Sequence, residues 1–285
     1  MNELAIVSGK GGTGKTTIAS SFSSLLKRCI ITDCDVDASN LYLILDPEIF
    51  EQNEFKGSKV AKIDEDKCIL CGICRENCRF DAISEDYIVD EISCEGCKVC
   101  QLVCPQDAVK IVLKITGSIY KSKIKKGFLF YADLLPGEGS SGRLVTNLRT
   151  NSKIFSNFEN IDEILIDSAS GIGCPVISSL TNVNKAIIVT EPTVSGIHDL
   201  KRILSLLIHF KIKSYVLINK YNINEEKSYE IEDFCKKDNI ELIGKIPFDE
   251  IVVEAMVNGK SVIDYSPQSK ISSIIKEIFK KVYLK

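Results

Sequence analysis

Apolar residues along the chain fall into short runs, and most of these runs are separated by segments long enough to form a helix. The runs that predict strands cover residues 4–8, 30–32, 127–131, 163–166, 186–190, 214–218 and 241–246. A helical pattern begins at Lys15 and continues to about Lys27. Because strands that alternate with helices form a sheet covered on both faces, the pattern predicts an α/β fold with a doubly wound, mostly parallel sheet.

The pattern changes between about residues 61 and 113, where the chain repeats itself at an offset of 26 residues. The triplet Ile-Asp-Glu at 63–65 recurs as Val-Asp-Glu at 89–91, and Asp-Ala-Ile at 81–83 recurs as Asp-Ala-Val at 107–109. Two copies of one half-module predict a small inserted α+β domain over residues 59–114. Residues 1–58 and 115–285 then form the larger domain, because predicted strands lie on both sides of the insertion.

Eight of the 12 cysteines form two runs with the spacing C-x2-C-x2-C-x3-C. The doubled spacing resembles that of the bacterial ferredoxins, which implies two [4Fe-4S] clusters in which the fourth cysteine of each run binds the other cluster. The resemblance assigns cluster one to Cys68, Cys71, Cys74 and Cys104, and cluster two to Cys94, Cys97, Cys100 and Cys78. Zinc is the alternative, because thiolates also suit it, but the spacing is poor for two separate four-cysteine sites.

Residues 9–16, Gly-Lys-Gly-Gly-Thr-Gly-Lys-Thr, fit the phosphate-loop pattern G-x-x-x-x-G-K-[ST] between a predicted strand and a predicted helix. Backbone N–H groups of such a loop surround phosphate oxygens, and the helix N-terminus adds a partial positive charge. Lys15 is expected to bridge the β- and γ-phosphates, and the Thr16 hydroxyl is expected to reach Mg²⁺. The predicted nucleotide-binding residues of this segment are Gly11, Gly12, Thr13, Gly14, Lys15, Thr16 and Thr17.

The additional lysine, Lys10, makes this segment resemble the deviant Walker A loop of the MinD, ParA, ArsA and nitrogenase iron protein superfamily, which are SIMIBI-type P-loop NTPases. In that family the early lysine reaches across a nucleotide-sandwich dimer to the ATP of the partner. The resemblance therefore implies an ATP-dependent homodimer in which Lys10 acts in trans on charge that develops during phosphoryl transfer. A solvated loop lysine is the alternative.

The segment after the second predicted strand matches the first switch of this family. The resemblance implies that Asp35 positions the attacking water and outer-shell Mg²⁺, and that Asn40 helps to hold the water. Lys10, Lys15 and Asp35 are therefore the predicted catalytic residues. Asp37 is instead expected to cap the helix that begins near Ser39.

Four positions farther along complete the predicted nucleotide site. The apolar run at 164–166 ends in Asp167, a Walker B acid that is expected to hold Mg²⁺ through water, and Gly171 is expected to offer its N–H near the γ-phosphate. Asn219 follows a predicted strand where the superfamily reads the base, and the lack of an acid at Asn222 favours adenine over guanine. Pro247 is expected to border the adenine, with a plain turn as the alternative.

Cys174 stands seven residues after Asp167, which is the offset of a bridging-cluster cysteine in the nitrogenase iron protein. That family needs a second such cysteine, and none lies between Cys104 and Cys174, so a structural or partner-facing role is favoured. The pattern of residues 271–285 predicts a helix that places Ile274, Ile275, Ile278, Phe279 and Val282 on one apolar face. A helix that covers the sheet is favoured there over a membrane-seeking helix like the one at the end of MinD.

Charge and composition narrow the setting. A net charge of −3 and a pI near 5.7 leave no basic footprint for nucleic acid. The N-terminus does not resemble a secretion signal, and no segment reaches the roughly 20 apolar residues that a membrane span needs. Because clustered cysteines without a secretory context favour metal ligation in a reducing compartment, we expect a cytoplasmic protein without membrane association.

The motifs together predict an ATPase that binds ATP, Mg²⁺ and two [4Fe-4S] clusters and that couples hydrolysis to electron delivery to a redox partner. One alternative is an iron-sulfur carrier or assembly ATPase that passes clusters to an acceptor protein. Another is a MinD-like positioning ATPase whose clusters report redox state.

Overall fold

The computed structural model describes residues 1–139 and 141–283, and the chain divides into two compact units. The first unit comprises Met1–Gln52, Ile119–Asp133 and Ser141–Lys285, and the second comprises Asn53–Ser118 and Leu134–Ser140. The domain boundaries predicted from the sequence, with an insertion at 59–114, differ from the boundaries of these units, and they stay a prediction.

Eleven strands form within the described residues. They are β1 (Asn2–Ser8), β2 (Cys29–Asp33), β3 (Glu48–Phe55), β4 (Ser58–Ile63), β5 (Val109–Lys114), β6 (Gly117–Ile124), β7 (Gly127–Leu134), β8 (Glu163–Ser170), β9 (Lys185–Thr190), β10 (Lys213–Asn219) and β11 (Glu241–Ile246). Nine of them form one sheet in the order β11-β10-β9-β1-β8-β2-β7-β6-β3, and every ladder from β11 to β7 is parallel. The predicted α/β fold with a mostly parallel sheet is confirmed.

The helices are α1 (Lys15–Leu25), α2 (Leu41–Leu45), α3 (Ile73–Glu76), α4 (Val99–Leu102), α5 (Ser141–Glu159), α6 (Cys174–Leu180), α7 (Val194–His209), α8 (Glu225–Lys237), α9 (Glu250–Val257), α10 (Val262–Tyr265) and α11 (Lys270–Tyr283). A short 3₁₀ helix spans Tyr221–Ile223. The first helix ends two residues before the predicted Lys27, because Leu26 is already extended.

The apolar face of α11 packs into the core of the first unit. Ile271, Ile275 and Ile278 are buried, and the Phe279 ring meets the Phe22 ring of α1 edge-on at 5.3 Å. The favoured prediction, a last helix that covers the sheet, is confirmed. No helix within residues 1–139 and 141–283 is both long and apolar enough to cross a membrane.

The second unit repeats its backbone at the offset seen in the sequence. Strands β4 and β5 pair antiparallel from Ser58↔Lys114 to Ile63↔Val109. The N–H of Asp64 donates to the carbonyl of Ala108 at 2.8 Å, and the N–H of Asp90, 26 positions later, donates to the carbonyl of Ala82 at 2.8 Å. Left-handed backbone also recurs in pairs, at Leu70 and Gly96, Gly72 and Lys98, and Asp81 and Asp107. The two half-modules therefore share one local fold.

Candidate functional site

The phosphate loop connects β1 to α1 and turns through left-handed backbone. Gly12 has φ of 77° and Gly14 has φ of 97°, which L side chains rarely adopt. A Cβ at Gly14 would collide with the Asn219 side chain, and Asn219 Nδ2 donates to the Thr13 carbonyl at 2.8 Å. Asn219 thus braces the loop, a contact that its predicted role at the base did not include.

A pair of buried carboxylates lies at the carboxyl end of the sheet beside this loop. Asp33 on β2 and Asp167 on β8 are direct neighbours in the strand register, and Thr16 Oγ1 donates to Asp167 Oδ2 at 2.7 Å. Burial, with the negative charge of Asp33, raises the pKa of Asp167 to about 8, and burial raises the pKa of Asp33 to about 6. The positive charge of Lys15 acts in the opposite direction and lowers the pKa of Asp167.

The Oδ1 atom of Asp167 is buried, and it has no hydrogen-bond partner within the described part of the chain. Burying a carboxylate oxygen without a hydrogen-bond partner, beside a second carboxylate, is unfavourable. A cation bound beside the Thr16 hydroxyl would offset this cost. Mg²⁺ prefers oxygen ligands of this kind, so Thr16 and Asp167 fit the predicted metal.

The segment after β2 is organised by Asp33. Its carboxylate accepts hydrogen bonds from Ser39 Oγ at 2.7 Å, the Asn40 N–H at 3.2 Å and the Leu41 N–H at 3.3 Å. The expectation that Asp37 caps a helix beginning near Ser39 was wrong: α2 begins at Leu41, and Asp33 satisfies its first N–H groups.

A cleft of about 520 Å³ opens over the phosphate loop. Its walls include most of the residues predicted to hold nucleotide, namely Gly11, Gly12, Gly14, Lys15, Thr16, Thr17, Asp35, Asn40, Asn219 and Pro247. Burial raises the pKa of Asp35. The size lies within the range of small-molecule sites, which is roughly 300–1,000 Å³.

Apolar residues that the motifs did not single out cover one side of the cleft. They are Leu43 and Ile44 of α2 and Val252, Val253 and Met256 of α9. Thr17 Oγ1 lies 3.8 Å from Met256 Sδ, which ties α9 to the first turn of α1. The apolar sequence of α9, directly after the last strand, was the signal that could have identified this wall. The face that α9 turns to the cleft, however, is set by tertiary packing.

Two predicted site residues point elsewhere. Lys10 does not line the cleft: its Nζ forms an ion pair with Glu191 and donates to Ser195 Oγ at 3.1 Å. Lys220 Nζ lies 3.7 Å from the same carboxylate. The N–H of Gly171 donates to the Ser8 carbonyl at 3.0 Å and so is not free for a phosphate in this state. Glu191 carried no motif and was missed.

In the second unit, the eight clustered cysteines surround two cavities. The first cavity is lined by Cys68, Cys71, Cys74 and Cys104, and the second by Cys78, Cys94, Cys97 and Cys100. Each set therefore combines three thiols of one repeat with one thiol of the other. The ligand assignment itself stays a prediction.

The surroundings of the thiols suit an iron-sulfur cluster. Backbone N–H groups of Ala61 and Ala108 donate to Cys94 Sγ at 3.4 Å and Cys104 Sγ at 3.3 Å, and such bonds stabilise cluster sulfurs. Over residues 1–139 and 141–283, no three histidine, cysteine, aspartate or glutamate side chains converge tightly enough for a metal ion.

The remaining cysteines divide by exposure. Cys29, Cys34 and Cys235 are buried, and burial raises the pKa of each thiol. Cys174 is exposed at the start of α6, where its Cβ lies 3.0 Å from the position that a Cβ on Gly142 would occupy. Its role stays a prediction.

The family model for the CobQ/CobB/MinD/ParA nucleotide binding domain matches residues 4–262. The uncharacterized protein MJ0578 of Methanocaldococcus jannaschii is 34% identical over 284 residues, covering 98% of this chain and 96% of that protein. The septum site-determining protein MinD of Escherichia coli K12 is 24% identical over 278 residues, covering 91% of this chain and 83% of MinD.

Solved structures resemble the fold over the whole chain. The septum site-determining protein MinD of Pyrococcus horikoshii, complexed with Mg-ADP, superposes with a TM-score of 0.63 at 19% identity, covering 99% of this chain and 96% of that one. A chain of the MinC:MinD cell division protein complex of Aquifex aeolicus gives a TM-score of 0.61 at 19% identity, covering 100% of this chain and 96% of the other. At this identity the likeness shows the fold.

Proposed function

The chain belongs to the CobQ/CobB/MinD/ParA nucleotide-binding domain family, and from this premise we propose that it is an ATPase that couples ATP binding and hydrolysis to electron transfer. The electrons would pass from two [4Fe-4S] clusters in the inserted domain to a partner protein. The observation that carries the redox part is the gathering of three thiols from one repeat and one from the other around each of two cavities.

The nucleotide half of the proposal rests on the cleft. Lys15 and the loop N–H groups would bind the phosphates, and the apolar wall formed by α2 and α9 would receive the base. Thr16 and Asp167 would hold Mg²⁺, which neutralises the carboxylates that are buried together here. Asp35, at the rim of the same cleft, would orient the attacking water. The Mg-ADP bound to the Pyrococcus protein supports this choice of ligand.

Lys10 supports a dimer in which each copy completes the site of the other. Within one chain its ammonium group faces Glu191 and Ser195 rather than the cleft, so its charge is not used on its own nucleotide. In a nucleotide-bound homodimer it would reach the phosphates of the second copy. Lys10→Ala is then expected to retain ATP binding but lose hydrolysis.

The cluster half of the proposal rests on donor chemistry. The eight thiols would hold two clusters, which supply one-electron redox chemistry when bound. The apolar side chains packed among them, including Ile83 and Val109, would limit the access of water, and the N–H donors to Cys94 and Cys104 would favour the reduced state.

The test is anaerobic purification followed by iron and sulfide analysis, EPR of the reduced protein, and an ATPase assay of the wild type beside Lys15→Ala. About eight irons per chain are expected for two cubanes. Lys15→Ala should lose hydrolysis while it keeps its iron, because the two sites use different residues. Bound zinc with negligible iron would refute the redox function but not the ATPase.

A positioning ATPase is the second candidate, because the septum site-determining protein MinD of Escherichia coli K12 aligns with 91% of this chain. An iron-sulfur carrier is the third. Cluster stability separates them: a carrier passes its iron to an apo-acceptor protein within minutes, whereas an electron carrier keeps its iron through repeated reduction and oxidation.

A further inference from the structure

A groove of about 550 Å³ on the second unit opens beside the cavity that contains Cys68. Cys68, Ile63 and Tyr87 line both the cavity and the groove, so these residues form the wall between them. Tyr87 is held in place by its hydroxyl, which donates to the Leu70 carbonyl at 2.7 Å. We call this depression the Cys68 groove. Its other lining residues include Lys62, Glu65, Leu70, Asp86, Ile88 and Glu91.

The two half-modules differ at this point although their backbones match. Leu70 and Gly96 are equivalent positions with φ of 57° and 59°. A Cβ at Gly96 would collide with the Lys59 carbonyl, so the backbone of β4 covers the loop around the second cavity. Leu70 is 64% exposed, and the loop around the first cavity lies open. A leucine in left-handed backbone is strained, and strained residues of this kind cluster at functional sites.

The groove combines acid and apolar character. Its carboxylates are those of Glu65, Asp86 and Glu91, and none of the three has an ion-pair partner within 4.0 Å in the part of the chain that the structure describes. Among the described residues that line the groove, Lys62 is the one cation. Leu70 and Ile88 expose 64% and 67% of their surfaces, so apolar area stands among the acids.

We propose that the Cys68 groove is the docking surface for a redox protein whose contact face has an apolar centre and a basic rim, and that electrons leave by the cluster nearer this groove. This inference rests on the proposed electron transfer and adds the exit cluster and the class of partner. Carboxylates without ion-pair partners attract a basic face and speed its encounter, and exposed apolar residues give a small transient contact. Each docking event moves one electron, so the module is oxidised by one electron and the partner is reduced by one.

Matched pairs of variants test the groove in anaerobically prepared holo-protein. Asp86→Lys reverses a charge of the groove, and Glu95→Lys makes the same change at the second cavity. Leu70→Ser removes an apolar residue of the groove, and Leu102→Ser removes one that is 82% exposed and lies outside it. The probe is a basic c-type cytochrome, whose ferric haem becomes ferrous as the module is oxidised.

Two readouts are taken: the Kd for the ferric probe by titration, and the rate of haem reduction by stopped flow. Asp86→Lys is expected to weaken binding about five- to tenfold and to flatten its salt dependence. Leu70→Ser is expected to weaken binding about threefold with the salt dependence kept. Glu95→Lys and Leu102→Ser should match the wild type in both readouts.

A small neutral quinone, which needs no docking surface, should be reduced equally fast by all five proteins. Equal effects of the groove and control variants on the cytochrome would overturn the groove as the docking surface while leaving the proposed function intact, provided that iron content and EPR signals are unchanged. Absence of iron from the wild type would instead refute the proposed function itself.

Discussion

At the scale of single residues, the carboxylate of Glu191 is shared by two lysines, Lys10 of the phosphate loop and Lys220 after β10. Lys220 Nζ also donates to the Gly12 carbonyl at 3.0 Å, so Glu191 ties the loop to the end of β10. A half-buried ion pair of this kind is worth about 1 kcal/mol. If Lys10 acts on the ATP of a second copy, this pair must break first in both copies, and Glu191 opposes dimerisation by that amount in each.

Glu191→Gln is therefore expected to strengthen the ATP-dependent dimer roughly 30-fold, because the neutral amide no longer holds Lys10 within its own chain and each of the two copies loses one pair of about 1 kcal/mol. Sedimentation with a non-hydrolysable ATP analogue measures the dimer affinity. Glu230→Gln is the matched control, since it removes an exposed ion pair with Lys227 on α8. A dimer affinity that is unchanged or lower in Glu191→Gln would contradict the restraining role.

Asp167 is a second residue whose proposed role, binding Mg²⁺, requires a negative charge in a place where burial makes that charge unfavourable. Its side chain is 1% exposed and lies next to Asp33, so its charge is costly until a cation binds. Asp167→Asn should stabilise the nucleotide-free protein by about 1–2 kcal/mol and raise its Tm, while it abolishes hydrolysis and the stabilisation by Mg-ATP.

The measurement for Asp167→Asn is thermal unfolding with and without Mg-ATP, beside an ATPase assay. Asp162→Asn is the control, because Asp162 is 90% exposed and its loss should leave Tm unchanged. A lower Tm for Asp167→Asn without nucleotide would show that the buried charge already has a compensating partner.

Local motifs predicted the residues that lie together in sequence, and they failed where a contact joins distant segments. The spacing of residues 9–16 identified the loop, because its chemistry needs those residues in that order. Glu191 and the bracing contact of Asn219 arise only when β9 and β10 are brought beside β1. No spacing along the chain encodes that proximity.

At the scale of elements, the seven strands predicted from apolar runs are all present, and their ends agree within a few residues. These strands are buried on both faces, which is why their sequences are continuously apolar. The predictions from apolar runs missed β3 and β6 of the large sheet and the pair β4 and β5 of the second unit. Strand β3 reads Glu-Ile-Phe-Glu-Gln-Asn-Glu-Phe, is mostly exposed and lies at the sheet edge, where a strand needs little apolar sequence.

The contact between α5 and α6 gives a prediction at this scale. Helix α6 follows the segment that contains Gly171, and its first residue, Cys174, lies against Gly142 in the first turn of α5. Gly142→Ala would place a Cβ 3.0 Å from Cys174 Cβ, so α6 must shift. We expect a loss of about 1–2 kcal/mol in stability and a several-fold slower ATPase.

Gly139→Ala serves as the control for Gly142→Ala, because in the described part of the chain no atom outside its adjacent residues lies within 4 Å of the Cβ that it adds. The double variant Gly142→Ala with Cys174→Gly restores the space and should recover the ATPase rate. Slow hydrolysis that persists in the double variant would mean that the helix contact is not the cause.

At the scale of the whole molecule, the family model matches residues 4–262, which include residues of both units, and the cysteine pattern is the basis of the chemistry proposed for the second unit. The chain enters the second unit after Gln52 and returns to it at Leu134–Ser140, directly before α5. Helix α5 packs on α6, which follows the segment that contains Gly171. The route from the Gly171 segment therefore crosses the packed contact between α6 and α5 and then follows the peptide chain to the residues before α5.

Such a route makes a thermodynamic prediction, because coupling between two binding equilibria is reciprocal. If reduction of the clusters tightens ATP binding tenfold, then ATP must raise the reduction potential of the coupled cluster by about 59 mV. A non-hydrolysable analogue is needed, since reciprocity holds for binding and not for turnover. Titrations of the oxidised and the reduced protein with the analogue give the ratio of the two affinities. Redox potentiometry with and without the analogue gives the change in reduction potential.

Agreement of the two numbers, with both effects lost in Lys15→Ala, would establish that nucleotide and electron share one conformational equilibrium. Glu230→Gln, which changes a surface ion pair on α8, should leave both numbers as in the wild type. A potential that does not respond to a saturating analogue would mean that hydrolysis and electron transfer are independent, since a ligand without differential affinity shifts no equilibrium.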